Sequence, residues 1–242
     1  MNPAQQIIEL LRKIQQKIEE ILRLVNKVLS LIPAILSWVA DRLREEWDKL
    51  MVKLGEIWDW IVDKLSYVGD PALLNSSSAT WAEVGGRVAR INDTITDQAL
   101  TTEDEWSGRG KDQYVQSLEP QRRANTSILS DYAERISSAL STMATGIIAF
   151  WAAVVVALLT LIGTIVVTIV TAKAAAAATA ATLGAAAPSM VVPIVTIVVG
   201  AVVCLGSLAA GWWVLSGQAD SAKATLALTS SGITAWPKIA TS

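Results

Sequence analysis

Few residues in this chain are placed to do covalent chemistry. The acidic trio Glu103-Asp104-Glu105 is its densest group of possible metal ligands or general acids and bases. No second carboxylate cluster and no glycine-rich calcium loop accompanies it, and adjacent acids ahead of a helix serve solubility and the positive helix end. The chain has 0 histidines. Neither a Ser-His-Asp nor a Cys-His nucleophile system can therefore be assembled within it, and the commonest zinc and iron sites lose their imidazole ligand. Cys204, the single cysteine, sits in an apolar stretch, where a thiol behaves as a small hydrophobe. Gly85-Gly86 lacks the Lys-Ser/Thr that completes a phosphate-cradling loop. The expectation is a protein that is not an enzyme and has no cofactor or metal.

The polar side chains that do recur at regular spacing are hydroxyls. Gly146, Ala149, Ala153, Ala157, Thr160, Thr164, Thr168 and Thr171 advance by three or four and form one continuous stripe on a helix. Thr196, Gly200, Cys204, Ser207 and Gly211 do the same further on. Small residues let apolar helices approach closely, and threonine hydroxyls can bond across the contact. The sharper use is a polar path, with Thr160, Thr164, Thr168 and Thr171 lining the axis of an oligomer. No acidic or basic residue interrupts either stripe, which speaks against a carboxylate relay for protons or ions.

The elements that carry these stripes are the most apolar in the chain. Of 242 residues, 52% are hydrophobic and 17% charged. Between Arg135 and Lys173 lie 37 residues without a charge, and between Lys173 and Asp220 another 46. A bilayer core of about 30 Å needs roughly 20 apolar helical residues. Residues 146–170 and 190–215 each satisfy that, joined by an alanine-rich connector containing Lys173, Gly184 and Pro188. Phe150 and Trp151 mark the start of the first span and Trp212 and Trp213 the end of the second, as an interfacial belt requires of a hairpin. The competing reading is the buried core of a soluble bundle. It needs enough polar helix elsewhere to cover two apolar ones, and the chain is expected to lack it. A net charge of -2 and the absence of a concentrated basic face argue against nucleic acid as a partner.

Residues 1–66 read as long amphipathic helix. Ile7, Leu11, Ile14, Ile18, Ile21, Val25, Val28, Ile32, Ile35 and Val39 alternate by four and three, the spacing of a coiled-coil seam. Leu43, Trp47, Leu50, Leu54, Ile57 and Ile61 continue it after a four-residue slip. Pro33 either kinks one helix or divides it into two. Beside the seam stand Leu22, Leu29 and Leu36 and also Leu24, Leu31 and Trp38, more apolar surface than one partner covers, so self-association is expected.

Residues 67–143 open on the turn signal Gly69-Asp70-Pro71, and helices are expected over 79–99 and 111–142. Between them, Trp106-Ser107-Gly108 is followed by Gly110, and by Tyr114 eight residues after the tryptophan. This turn and helix opening resembles the WXG family, the ESAT-type helical hairpins of type VII secretion. Asp70-Pro71 ahead of Trp81 resembles how actinobacterial members begin their first helix. The resemblance covers about residues 69–142 and implies that Trp106, Gly108 and Tyr114 form the hairpin-turn motif. It also implies a WXG-type or secretion-system partner. The family's export signal, an aromatic followed four residues later by an acid, is missing at Tyr114, which meets Leu118, and at Tyr132, which meets Ile136.

The expected protein is thus all-α: a long amphipathic helix (1–66), a WXG-like hairpin (67–143), a transmembrane hairpin (144–216) and a polar tail (217–242). Its partner is the lipid bilayer and its localisation the membrane, either as an integral protein or after release from a soluble state. The expected function is membrane insertion with self-assembly into a homo-oligomer, a pore-former linked to type VII secretion. The alternative is a non-conducting membrane scaffold that docks secretion partners through the WXG-like hairpin.

Overall fold

The computed structural model describes residues 3–65, 69–95 and 107–227, and among them the chain is all-α with no strand. In order, α1 spans Pro3–Leu29, α2 Ser37–Leu65, α3 Pro71–Thr94, α4 Arg109–Ser127, α5 Glu134–Ala181 and α6 Val191–Ala227. Single 3₁₀ turns at Ala34–Leu36 and Ala187–Met190 precede α2 and α6, and a π-helical stretch, Ile128–Ala133, joins α4 to α5. Two compact units result, one from residues 1–69 with 149–214, the other from 70–148 with 215–242.

In the first unit, Pro33 divides the N-terminal segment instead of bending it. Proline has no N–H to continue the helix, and its extended conformation (φ -64°, ψ 153°) turns the chain between α1 and α2. Leu11, Ile14 and Ile18 then share a groove with Met51, Leu54, Ile57 and Trp58, so the two helices run antiparallel. The heptad pattern is otherwise faithful: Ile7, Leu11, Ile14, Ile18, Ile21, Val25 and Val28 on α1, and Val39, Leu43, Leu50, Ile57 and Ile61 on α2, are all buried. Ile35 departs from it, at 86% exposure, because the helix has ended and the turn points it outward. The surplus positions Leu22 and Trp38 are exposed as well, so among the described residues no second neighbour covers them.

The second unit is built on α3, α4 and the π-helical stretch. α3 begins at Pro71, eight residues before the sequence-based expectation at residue 79. Asp70 caps it, its carboxylate accepting from the N–H groups of Ala72 at 2.8 Å and Leu73 at 3.3 Å, with proline at the first helical position where a missing donor costs nothing. The polar run 75–78 is helical because its hydroxyls find acceptors: Ser76 donates to Leu73 O, and Ser78 to Ser137 O at 2.8 Å. At Gly85 the backbone of α3 approaches the π-helical stretch so closely that a Cβ would overlap Ala133 Cβ. Lower along the same seam, Asn92 donates to Arg122 O and accepts from Asn125 at 2.9 Å, and the Arg122 guanidinium donates to Ile95 O. α6 continues to Ala227, beyond the expected start of the tail at residue 217, and the Arg135 guanidinium reaches Thr225 O at 3.5 Å.

Candidate functional site

Among the described residues, two helical stretches are long and apolar enough to cross a membrane, Arg109–Ala181 and Ala187–Ala227. Their residues 149–181 and 191–214 form an apolar hairpin inside the first unit. On α5, Phe150, Val154, Leu158, Leu161, Ile165, Ile169 and Ala172 advance by three and four and are buried. Val156, Leu159, Val166, Val167 and Val170, between those positions, are exposed. α6 divides likewise, Ile194, Ile197, Ala201, Cys204 and Leu208 against Val192, Val199, Val202, Val203 and Val214.

What buries the inner side is the α1–α2 hairpin. Trp60 of α2 lies 6.0 Å from the Phe150 ring, which in turn packs edge-on against Trp151 at 4.9 Å and Trp212 at 5.8 Å. Lys64 Nζ stands 4.3 Å over the Trp212 ring, a cation–π contact of about 1 kcal/mol. Midway along, Lys173 Nζ of α5 is 2.8 Å from Glu20 Oε1 of α1. At the far end the connector meets the α1–α2 turn. Gly184, at φ +96°, sits against Pro33 and Leu31 O, where a side chain has neither the backbone conformation nor the room. The outer faces of α1 and α2 are charged and exposed, with Arg12, Lys13, Glu19 and Arg23 on one and Arg42, Glu45, Asp48 and Lys49 on the other. Along the edge of that face the buried Glu46 joins the exposed Arg42, Glu45 and Lys49 in a ladder of ion pairs at 2.7 to 3.0 Å. The seam of the amphipathic pattern packs, within the chain, against its own apolar hairpin. The polar helix that the soluble-bundle reading required is present, on one side only.

The two small-residue stripes meet each other. Ala153, Ala157, Thr160 and Thr164 face Thr196, Gly200, Cys204 and Ser207 across the α5–α6 groove, and a second hollow continues it past Thr168 and Thr171. An added Cβ at Gly200 would stand 3.0 Å from Thr164 Cγ2, and one at Gly211 would stand 3.5 Å from Ala153 Cβ. The hydroxyls are already engaged. Thr160 donates to Val156 O at 2.9 Å, Thr164 to Thr160 O at 3.1 Å, Thr168 to Thr164 O at 2.7 Å and Thr171 to Thr168 O at 2.8 Å. Thr196 and Ser207 bond back to their own helix in the same way. Thr168 is buried, Thr164 half-buried, and Thr160 and Thr171 are exposed. Sequence spacing located both stripes, but it could not show that they close on one another.

Of the hairpin-turn motif, Trp106 lies outside the described residues, as does the trio Glu103-Asp104-Glu105. Gly108 takes φ +97° immediately before α4, a conformation that favours glycine, and Tyr114 is half-buried on α4. Leu73, Trp81, Val84 and Ile91 leave an exposed apolar line along α3 that the period of the sequence did not single out.

Comparison with protein-family models, with curated proteins and with solved structures finds no match to this chain.

Proposed function

We propose that this is a membrane-inserting helical protein that carries its apolar hairpin beneath a half-cover. The observation that carries the reading is the two-sidedness of the first unit. One side of the hairpin is packed under α1 and α2, whose outer faces are charged, while only 39% and 33% of the most apolar stretches of the two long helices is buried. A helix pair that is apolar all round needs hydrocarbon or further protein on its open side. The charged faces of α1 and α2 cannot follow it into a bilayer, since each central charge costs roughly 3 kcal/mol or more. The cover must therefore peel away or remain at the surface when the hairpin spans. Once inserted, the open faces of α5 and α6 are available to further copies, and a homo-oligomer, with or without a conducting axis, is the assembly proposed.

Holding the cover down tests this. Cysteines at Glu20→Cys and Lys173→Cys, in a Cys204→Ala background, can be joined by a short cleavable bis-maleimide, because two long ionic side chains hold their backbones too far apart for a direct disulfide. The expected result is that the joined protein leaves residues 149–214 open to protease on vesicles, and that cleaving the linker restores protection. Equal protection in both states would overturn the reading.

The scaffold reading has an observation of its own. The exposed line Leu73, Trp81, Val84 and Ile91 on α3 supports docking of a helical partner by the WXG-like hairpin, including a partner from type VII secretion. Trp81→Asp should abolish capture of such a partner and leave insertion unchanged.

A further inference from the structure

We infer that the end of the first unit where two turns meet, carrying Ile35, Trp38 and Leu183, is a docking point for the bilayer surface, making first contact with lipid before the hairpin inserts. The inference rests on the proposed insertion and adds to it the end by which the protein arrives.

Three observations lead there. The first is exposure: Ile35 is 86%, Leu183 82% and Trp38 61% exposed, while Pro33 and Gly184 bring their two turns into contact. The second is charge. No charged residue occurs from Val28 to Ala40 or from Ala174 to Ala219, so the nearest on either turn are Lys27, Asp41 and Lys173. Water-exposed turns in soluble proteins are polar, and one without a charge in either of two adjoining segments suits hydrocarbon. The third is the backbone at Leu183. α5 ends in a Schellman closure, Gly184 N–H donating to Thr179 O at 2.8 Å and Leu183 N–H to Ala180 O at 3.4 Å. That closure puts Leu183 at φ +50°, the left-handed position that glycine or asparagine ordinarily fills. A leucine there costs conformational energy, and pointing outward it recovers none by packing.

The bilayer is the occupant that fits these features. The point is continuous with helices long enough to cross a membrane, and the polar residues exposed around it, Ser30, Ser37, Thr182 and Ser189, are uncharged hydroxyls that a headgroup region accepts, whereas protein interfaces are bordered by charged and polar residues that fix orientation. A tryptophan beside two aliphatic residues is the composition of a surface anchor.

The test uses the full chain with its cover joined at residues 20 and 173, which cannot expose the inner side of the hairpin, and measures flotation with uncharged phosphatidylcholine vesicles. The joined protein is expected to float, and Leu183→Asp or Ile35→Asp to reduce the bound fraction about tenfold or more, as loss of a buried leucine-sized side chain predicts. Both positions are exposed, and aspartate tolerates the left-handed backbone better than leucine, so folding is retained. Flotation indifferent to both substitutions overturns the docking point, even if cleaving the linker still restores insertion. Flotation that depends on Leu183 and Ile35, with no insertion after cleavage, supports the docking point and overturns the insertion reading alone. A lipid-free dimer that Leu183→Asp dissociates would assign the surface to a second copy and overturn the inference.

Discussion

Lys173 Nζ lies 2.8 Å from Glu20 Oε1, so the one charged side chain between Arg135 and Asp220 is held by the cover. The Lys173 ammonium, and after it Lys17, keeps the Glu20 carboxyl below its ordinary value of 4.5. Because the folded value is depressed, the contribution to stability is present above the ordinary range and disappears as pH falls through the lowered one.

Acidification below 4.5 should therefore loosen the cover and raise insertion into uncharged vesicles. Glu20→Gln should insert at neutral pH to the extent the parent reaches only in acid. A protease-protection profile flat with pH in both proteins would show that this pair does not hold the cover.

The meeting of the two turns should be intolerant at Gly184. Valine there must adopt a left-handed φ and displace Leu31 O, so Gly184→Val is expected to cost roughly 2 kcal/mol or more. Leu183→Asn should raise stability by about 0.5 to 1 kcal/mol, since asparagine accepts the backbone conformation that leucine resists. Thermal unfolding of the two variants, displaced in opposite directions, is the check.

In the second unit, Gly85→Ala should destabilise by about 1 to 3 kcal/mol, because its methyl group would overlap Ala133 Cβ and press on Leu129 Cδ1. Ala133→Gly in the same protein should recover part of that loss. Additive effects in denaturant unfolding would mean that the two residues do not share the contact.

Sequence periodicity carried far on α1, where the positions predicted to be apolar and inward from Ile7 to Val28 are buried. It failed at Ile35, because a four-and-three pattern runs on through a proline that the backbone cannot follow. It also places the start of α3 eight residues late, because the polar run Asn75 to Ser78 carries no helical period and is held in the helix by the Asp70 cap and by the acceptor for Ser78 on Ser137. The partner of the amphipathic seam was beyond its reach. An apolar stripe announces that it will be covered, not by what, and here the cover and the covered lie more than 100 residues apart, as Glu20 and Lys173 do. The hydroxyl stripe was legible as a stripe, but its closure against Gly200 depends on helix rotation, which spacing does not encode.

That closure separates two substitutions. Gly200→Leu should force α5 and α6 apart at Thr164 and lower thermal stability by about 1 to 3 kcal/mol, whereas Thr160→Leu, on the exposed rim, should leave it nearly unchanged. If oligomers conduct along the threonines, Thr160→Leu with Thr171→Leu should reduce the current in planar bilayers at unchanged oligomer size. Absence of current from the parent protein would leave the non-conducting scaffold.

The order of the elements bears on how the chain is made. α1 and α2, ending at Leu65, leave the ribosome before α5, which begins at Glu134. Domains fold largely as they emerge, N-terminal parts first. The amphipathic hairpin is therefore already made when the apolar one appears and, on the membrane-inserting reading proposed above, would compete with the bilayer for that segment during synthesis. On that reading the time taken to translate the chain between Leu65 and Glu134 becomes a variable in where the apolar hairpin goes.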